Sequence, residues 1–143
     1  MKDLLNFGQM LSVHARVTPD RVGARDLDRS MTFAQWNARS CRLANALLGL
    51  GLAKGDRIAV LAYNCIEWLE IYAATAKAGL VAVPLNFRLV TPEIGYILED
   101  AGARAVIVQD ELVAQVEELA PARLFDCVDS VRPADVTARS TLV

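Results

Sequence analysis

The sequence predicts an α/β fold, a parallel βαβ layer with a small N-terminal β-hairpin. Two observations carry this. Apolar runs and helical stripes alternate as strand, helix, strand, helix, strand at about 23-residue spacing, the rhythm of parallel units. The three runs, residues 58–62, 80–83 and 105–108, are short and continuous, the pattern of strands covered on both faces. The crossovers between them are expected to be right-handed.

In chain order, residues 3–17 read as an amphipathic helix with Leu4, Leu5, Phe7 and Leu11 near one side, broken by Thr18-Pro19-Asp20. Val22, Ala24 and Leu27 suggest a short strand. Asp28-Arg29 makes a turn into a second strand near residues 30–33. Thr32 and Gln35 form a capping box, because the hydroxyl accepts an amide and the Gln side chain reaches back. Trp36, Leu43, Ala44 and Leu47 then recur at helical spacing. Gly49 and Gly51 end the stripe, where a left-handed cap is expected. Asn64 and Glu67 read as a second capping box, opening a helix that carries Ile66, Leu69, Tyr72, Ala73 and Ala76 and stops at Gly79. Residues 80–83 read as a buried strand that Pro84 ends, leaving Asn86 and Arg88 in a polar turn. Thr91 reads as the next N-cap, with Pro92 at the tolerated first position and Glu93 suiting the helix dipole. Ile94, Ile97, Leu98 and Ala101 follow one stripe up to Gly102. Asp110 opens a last helix with Leu112, Val116 and Leu119. Beyond Pro121 no period holds, and the one apolar patch is Leu124-Phe125 with Cys127-Val128.

The chain has 143 residues, 54% of them apolar, and a formal net charge of -2. That is one domain or a piece of one, with material for a core and no basic run to suit nucleic acid. The three cysteines, Cys41, Cys65 and Cys127, fit neither a disulfide framework nor a metal site, so a reducing, cytoplasmic setting is expected. Asn6 and Gln9 interrupt the apolar stretch that a secretory signal needs. No window reaches the roughly 18 apolar residues of a membrane span.

Few residues suggest chemistry. Gly49, Gly51 and Gly55 mimic a nucleotide loop, but they follow a helix and precede a strand. A phosphate loop needs the opposite order, so that helix N-terminal amides face the anion. His14 is the only histidine and has no nucleophile arranged near it. Glu67, Glu70, Glu117 and Glu118 are expected to face solvent, and Asp26 and Asp28 to lie in turns. Trp36, Trp68, Tyr63, Tyr72 and Tyr96 are expected to pack in the core or between helix and sheet. Arg88 follows the carboxyl end of a strand, where open α/β sheets place ligands. Its ordinary role would be to cap carbonyls or pair with an acid.

Several ordered blocks carry a family likeness. They are Thr-Pro-Asp-Arg-Val at 18–22, Met-Thr-Phe-Ala-Gln-Trp at 31–36, Arg-Leu-Ala-Asn-Ala-Leu at 42–47, Lys-Gly-Asp-Arg-Ile-Ala-Val-Leu at 54–61 and Asn-Cys-Ile-Glu at 64–67. The most specific is Ala-Lys-Ala-Gly at 76–79 running through Val-Pro-Leu-Asn-Phe-Arg-Leu at 83–89, extended by Thr-Pro-Glu-Ile at 91–94 and Ile-Leu-Glu-Asp at 97–100. Over about residues 4–119 the chain resembles the N-terminal part of the adenylate-forming acyl-CoA synthetases, the AMP-dependent synthetases and ligases. Within the family, Pro-Leu-Asn-x-Arg at 84–88 looks more like the acyl-CoA ligases than the peptide-synthetase adenylation domains, which usually carry Asp where this chain has Asn86.

The resemblance implies an N-terminal subdomain over 1–120 and a divergent or truncated tail over 121–143. It implies a parent enzyme that converts a carboxylic acid, fatty by prior, and ATP to acyl-AMP, then transfers the acyl group to CoA, with Mg2+ and a Lys steadying the phosphates. It marks Lys77, Gly79, Pro84, Asn86 and Arg88 as signature positions of structural weight. The family's glycine-rich phosphate loop lies downstream, and this chain has no Gly after Gly102 and no Lys after Lys77. No catalytic, cofactor-binding or metal residue is therefore assigned, and the isolated chain is expected to be inactive and to bind none of ATP, Mg2+ and CoA by itself. The alternatives are a non-catalytic interaction module or split-enzyme subunit and, within the family, an aryl- or short-chain-acid ligase. An unpaired sheet edge would favour self-association.

Overall fold

Asn6 opens the first helix. Its Oδ1 accepts the Gln9 amide at 2.9 Å, and Gln9 Oε1 accepts the Asn6 amide at 2.9 Å. The two residues that interrupt the apolar stretch are thus a capping box, and α1 runs Phe7–Val17 rather than from residue 3. The computed structural model describes residues 5–119 and 124–126, which divide into two compact units.

The first unit comprises Met1–Gly55 and Asn64–Leu80. Strands β1 (Val22–Asp26) and β2 (Arg29–Thr32) form the expected antiparallel hairpin, with Leu27 exposed in its turn. The Thr32–Gln35 capping box opens α2 (Phe33–Gly49). The left-handed glycine after it is Gly51, at φ 80°, not Gly49. Helix α3 spans Glu67–Ala78. Asn64 does not cap it: the residue before the helix, Ile66, is already in helical conformation and no side chain caps that end. Glu67 is engaged elsewhere. Gly79 closes α3 in the left-handed region at φ 71°, where a Cβ is penalised. Leu11, Ala24, Met31, Trp36, Ile66 and Ala73 form this unit's core.

The second unit comprises Asp56–Tyr63 and Val81–Val143. Its parallel sheet has the order β4-β3-β5-β6, built from β3 (Arg57–Leu61), β4 (Val81–Leu85), β5 (Ala103–Val108) and β6 (Leu124–Asp126). Residues 58–61 of β3 are fully buried, as a central strand requires. β4 corrects the expectation of a buried strand ending at Val83. Among the described residues it is an edge strand, it continues through Pro84 to Leu85, and only Leu85 is buried within it. Pro84 pairs in register with Val60; lacking an N–H, proline is tolerated where one side of the strand has no neighbour.

Helix α4 covers Thr91–Ala101. Val90 precedes it, with its amide held by Glu93 at 3.0 Å, so Thr91 is the first helical residue and not the cap. The expected final helix is broken into a 3₁₀ turn, Asp110–Leu112, and a short α5, Ala114–Glu117. Ala59, Leu61, Leu85, Ile94, Val106, Val108, Leu112 and Val116 make this core. β6 adds a fourth strand, parallel to β5, which sequence period did not signal. The rest of the tail, with Cys127, lies outside the described residues. Among the described residues no helix is long and apolar enough to cross a membrane.

Candidate functional site

The signature residues fall into two groups. Lys77 and Gly79 belong to the helical unit. Lys77 Nζ donates to Gly8 O at 3.1 Å, Ser12 Oγ at 2.6 Å and Asn37 Oδ1 at 2.9 Å, tying α3 to α1 and α2. Gly79 O accepts the Gly55 amide at 2.8 Å, which fixes the loop after α2. Both residues are architectural joints.

Pro84, Asn86 and Arg88 belong to the sheet unit, at its carboxyl edge. Asn86 Oδ1 accepts the Arg88 amide at 3.0 Å, and Asn86 O accepts the Leu89 amide at 3.1 Å. This Asx turn presents Arg88 outward, its guanidinium 5.5 Å from the Phe87 ring centroid. None of the ion pairs among the described residues involves Arg88, so the expected ion-pairing role has no acid partner among them. Phe87 meets Tyr63 edge to face at 4.9 Å. The Tyr63 amide donates to Gln109 Oε1 at 2.9 Å, and the Gln109 amide to Leu61 O at 2.9 Å. One ledge thus crosses the ends of β5, β3 and β4. Sequence reading singled out Arg88 here and missed Phe87 and Gln109; the only signal was that each follows a strand.

The aromatic residues divide unlike the expectation. Trp36 is buried and donates Nε1–H to Leu69 O at 3.0 Å. Tyr63, Tyr72 and Tyr96 are exposed; their helical spacing gave the period but not the face. His14 is exposed and stacks on Phe33 at 4.9 Å.

Glu67 and Glu70 overturn the solvent-facing expectation, at 8% and 1% exposure. Arg29 reaches both Glu67 oxygens, at 2.6 and 3.2 Å, and also Asp26 at 3.0 Å. Arg39 Nε donates to Glu70 Oε1. Burial opposes the Glu67 charge, but the hydrogen bonds of Arg29, the Glu67 backbone amide and Cys65 outweigh it and hold the carboxyl below its usual range. For Glu70 burial wins over Arg39 and pushes the carboxyl up. Burial and the neighbouring Glu67 raise the Cys65 thiol to about 11, so it stays protonated and unreactive at neutral pH. The cluster is a buried polar tie, not a reaction centre.

It carries a pH prediction. A carboxyl lowered on folding, such as Glu67, adds stability above its unfolded pKa of about 4.3 that is lost as pH falls through its folded value. Glu70 has the opposite sign: its contribution is full below that unfolded value and lost as pH rises through the raised one. Glu67→Gln should therefore cost about 1–2 kcal/mol at pH 7, a figure discounted for the half-exposed Arg29. The deficit should shrink as pH falls below the unfolded value and through the lowered folded one, as read by urea unfolding at pH 7 and along a descending pH series.

The described residues do not fit a nucleotide–metal group. The left-handed glycines Gly51, Gly55, Gly79 and Gly102 each precede a strand, so no glycine turn leads into helix N-terminal amides. Among the described residues no three His, Cys, Asp or Glu side chains gather as a metal ion requires.

The family model described as AMP-binding enzyme matches residues 11–140. The chain belongs to the AMP-binding enzyme family. The chain is 46% identical, over 105 residues, to the long-chain-fatty-acid–CoA ligase FadD13 of Mycobacterium tuberculosis, covering 71% of this chain and 21% of that protein. It is 39% identical over 111 residues to the fatty acid–[acyl-carrier-protein] ligase ScoC of Streptomyces coeruleorubidus, covering 78% of this chain and 21% of that one. The N-terminal domain of FACL13 from Mycobacterium tuberculosis superposes with a TM-score of 0.74 at 41% identity, over 80% of this chain and 30% of that one. A benzoate CoA ligase from Burkholderia xenovorans gives 0.80 at 27% identity, over 89% and 26%. The chain thus spans about a fifth of the length of the curated relatives it matches. Its α/β fold, with hairpin and parallel sheet, is that of these AMP-binding enzymes.

Proposed function

We propose that this chain is the scaffold-bearing N-terminal portion of an acid–CoA ligase, in which residues 1–120 form an N-terminal subdomain. Within the complete enzyme it serves the activation of a carboxylic acid by ATP to acyl-AMP and transfer to CoA, in the cytoplasm. The observation that carries this is the family match over residues 11–140. Leaving-group activation explains the adenylate: a carboxylate is a poor acyl donor until its oxygen is esterified to phosphate. The residues here position and support. Lys77 and Gly79 hold helices and loop together, and Pro84 and Asn86 shape the strand exit. By itself the chain lacks the phosphate loop and the catalytic Lys and is inactive. A fatty acid is the favoured substrate on the FadD13 likeness; the benzoate ligase likeness supports an aryl acid as the second choice.

The test is thioester formation by the chain joined to the downstream segments of a family ligase. CoA-, ATP- and acid-dependent thioester formation is expected from the joined protein. A joined protein that folds and adenylates no acid across fatty, short-chain and aryl panels would overturn the reading.

A further inference from the structure

The two sides of β4 differ in what they offer a neighbouring strand. Along a strand, successive residues turn their backbone N–H and C=O groups to opposite sides. The Val81 amide donates to Asp56 O at 2.9 Å, so Val81 faces β3, and Val83 and Leu85 face it too. Ala82 and Pro84 face away. Across β3 the same alternation holds, since Leu61 O accepts the Gln109 amide beyond β5 at 2.9 Å. The hydrogen-less nitrogen of Pro84 thus points to the side where β4 has no neighbour among the described residues. The amide just ahead of the strand, that of Leu80, is already bonded to Thr75 O at 2.9 Å. Over residues 80–85 the open side therefore keeps only the amide hydrogen of Ala82. The run is otherwise of the kind that recruits further strands: it carries no charge, and Val81 is 46% exposed. An apolar, uncharged edge with β-branched residues is a template for another copy. Consider a second copy added antiparallel, with its Ala82 opposite Pro84. In an ordinary ladder such a pair exchanges two hydrogen bonds. Pro84 removes one of the two, and its ring occupies the place of the missing hydrogen.

We propose that Pro84 closes the outer edge of β4 to strand addition, so that the chain does not pair with a second copy of itself along this edge. The position is selective. One residue earlier, at Val83, a proline would remove a bond to β3; at residue 84 it removes one only from an incoming strand. A proline that merely ended the strand would not need this side, and β4 runs on past it to Leu85. The closure involves no substrate, so its test is separate from any test of the ligase reading.

The experiment compares the 143-residue chain with Pro84→Val by sedimentation velocity over a concentration series, with amide hydrogen exchange read at Ala82 and Val83. In the parent the Ala82 amide is expected to exchange fast and the Val83 amide slowly. Pro84→Val should associate at concentrations about tenfold below any at which the parent does, and its Ala82 amide should become protected as it associates. Adding Ala82→Pro to Pro84→Val moves the proline two residues along the same side and should restore the parent's sedimentation. The proposal is overturned if folded Pro84→Val sediments like the parent at every concentration, or if it associates while Ala82 still exchanges fast. It is equally overturned if the double variant associates as Pro84→Val does. Two readings decide the matter even if Pro84→Val does not fold. Val83→Pro should lower the urea midpoint more than Ala82→Pro alone, and the reverse order overturns the proposal. So does an Ala82 amide that exchanges as slowly as Val83 in the parent.

Discussion

Gly8→Val is expected to destabilise the chain by about 3 kcal/mol, read as a fall in the urea midpoint at unchanged slope. A Cβ at residue 8 would lie 2.6 Å from Lys77 Cγ, 3.1 Å from the Lys77 backbone nitrogen and 3.3 Å from Ala73 O. Two of those atoms are backbone of α3 and cannot swing away. The third belongs to a side chain whose ammonium is already bonded to Gly8 O, Ser12 and Asn37. Relief of the clash must therefore separate α1 from α3 or break those bonds. Helix propensity works the other way: a side chain in place of glycine gains at most about 1 kcal/mol in a helix interior, and less in a first turn. The steric cost wins, and valine's branched Cβ increases it. An unchanged midpoint for Gly8→Val would show that the helices do not approach as closely as described.

Local signals were legible and long-range ones were not. The Thr32–Gln35 box, the Gly79 and Gly102 caps and the existence and order of the three βαβ strands are legible because each is written within a few neighbouring residues. Residues 80–83 read as a buried strand because Leu-Val-Ala-Val is apolar throughout. Which strand is at the edge depends on sheet order, and no residue of β4 states it except Pro84, which was read as a terminator. Glu67 and Glu70 read as a solvated face because their partners, Arg29 and Arg39, lie 38 and 31 residues away. β6 is three residues long, too short to show a period, and is identified only by its pairing with β5. The ledge was half visible. Arg88 stood out by its charge, whereas Phe87 and Gln109 acquire meaning only when three strand ends are set side by side.

The second large effect is in activity. The chain contains no Gly after residue 102 and no Lys after residue 77. Its left-handed glycines serve strand entry instead of a phosphate loop. Acyl-adenylate formation depends on preorganised donors and cations at the phosphates. Arg88 supplies one exposed cation at a sheet edge, and one cation does not surround a triphosphate. Adding magnesium does not substitute for the missing donors, since the metal needs the phosphates already held in place. The whole rate enhancement, and not a fraction of it, is expected to be missing.

ATP–pyrophosphate exchange measured on the folded 143-residue chain, with Mg2+ and fatty, short-chain and aryl acids in turn, tests this account most directly. The account predicts exchange no greater than that of buffer with every acid. Exchange above that background, abolished by leaving out ATP or the acid, would contradict it.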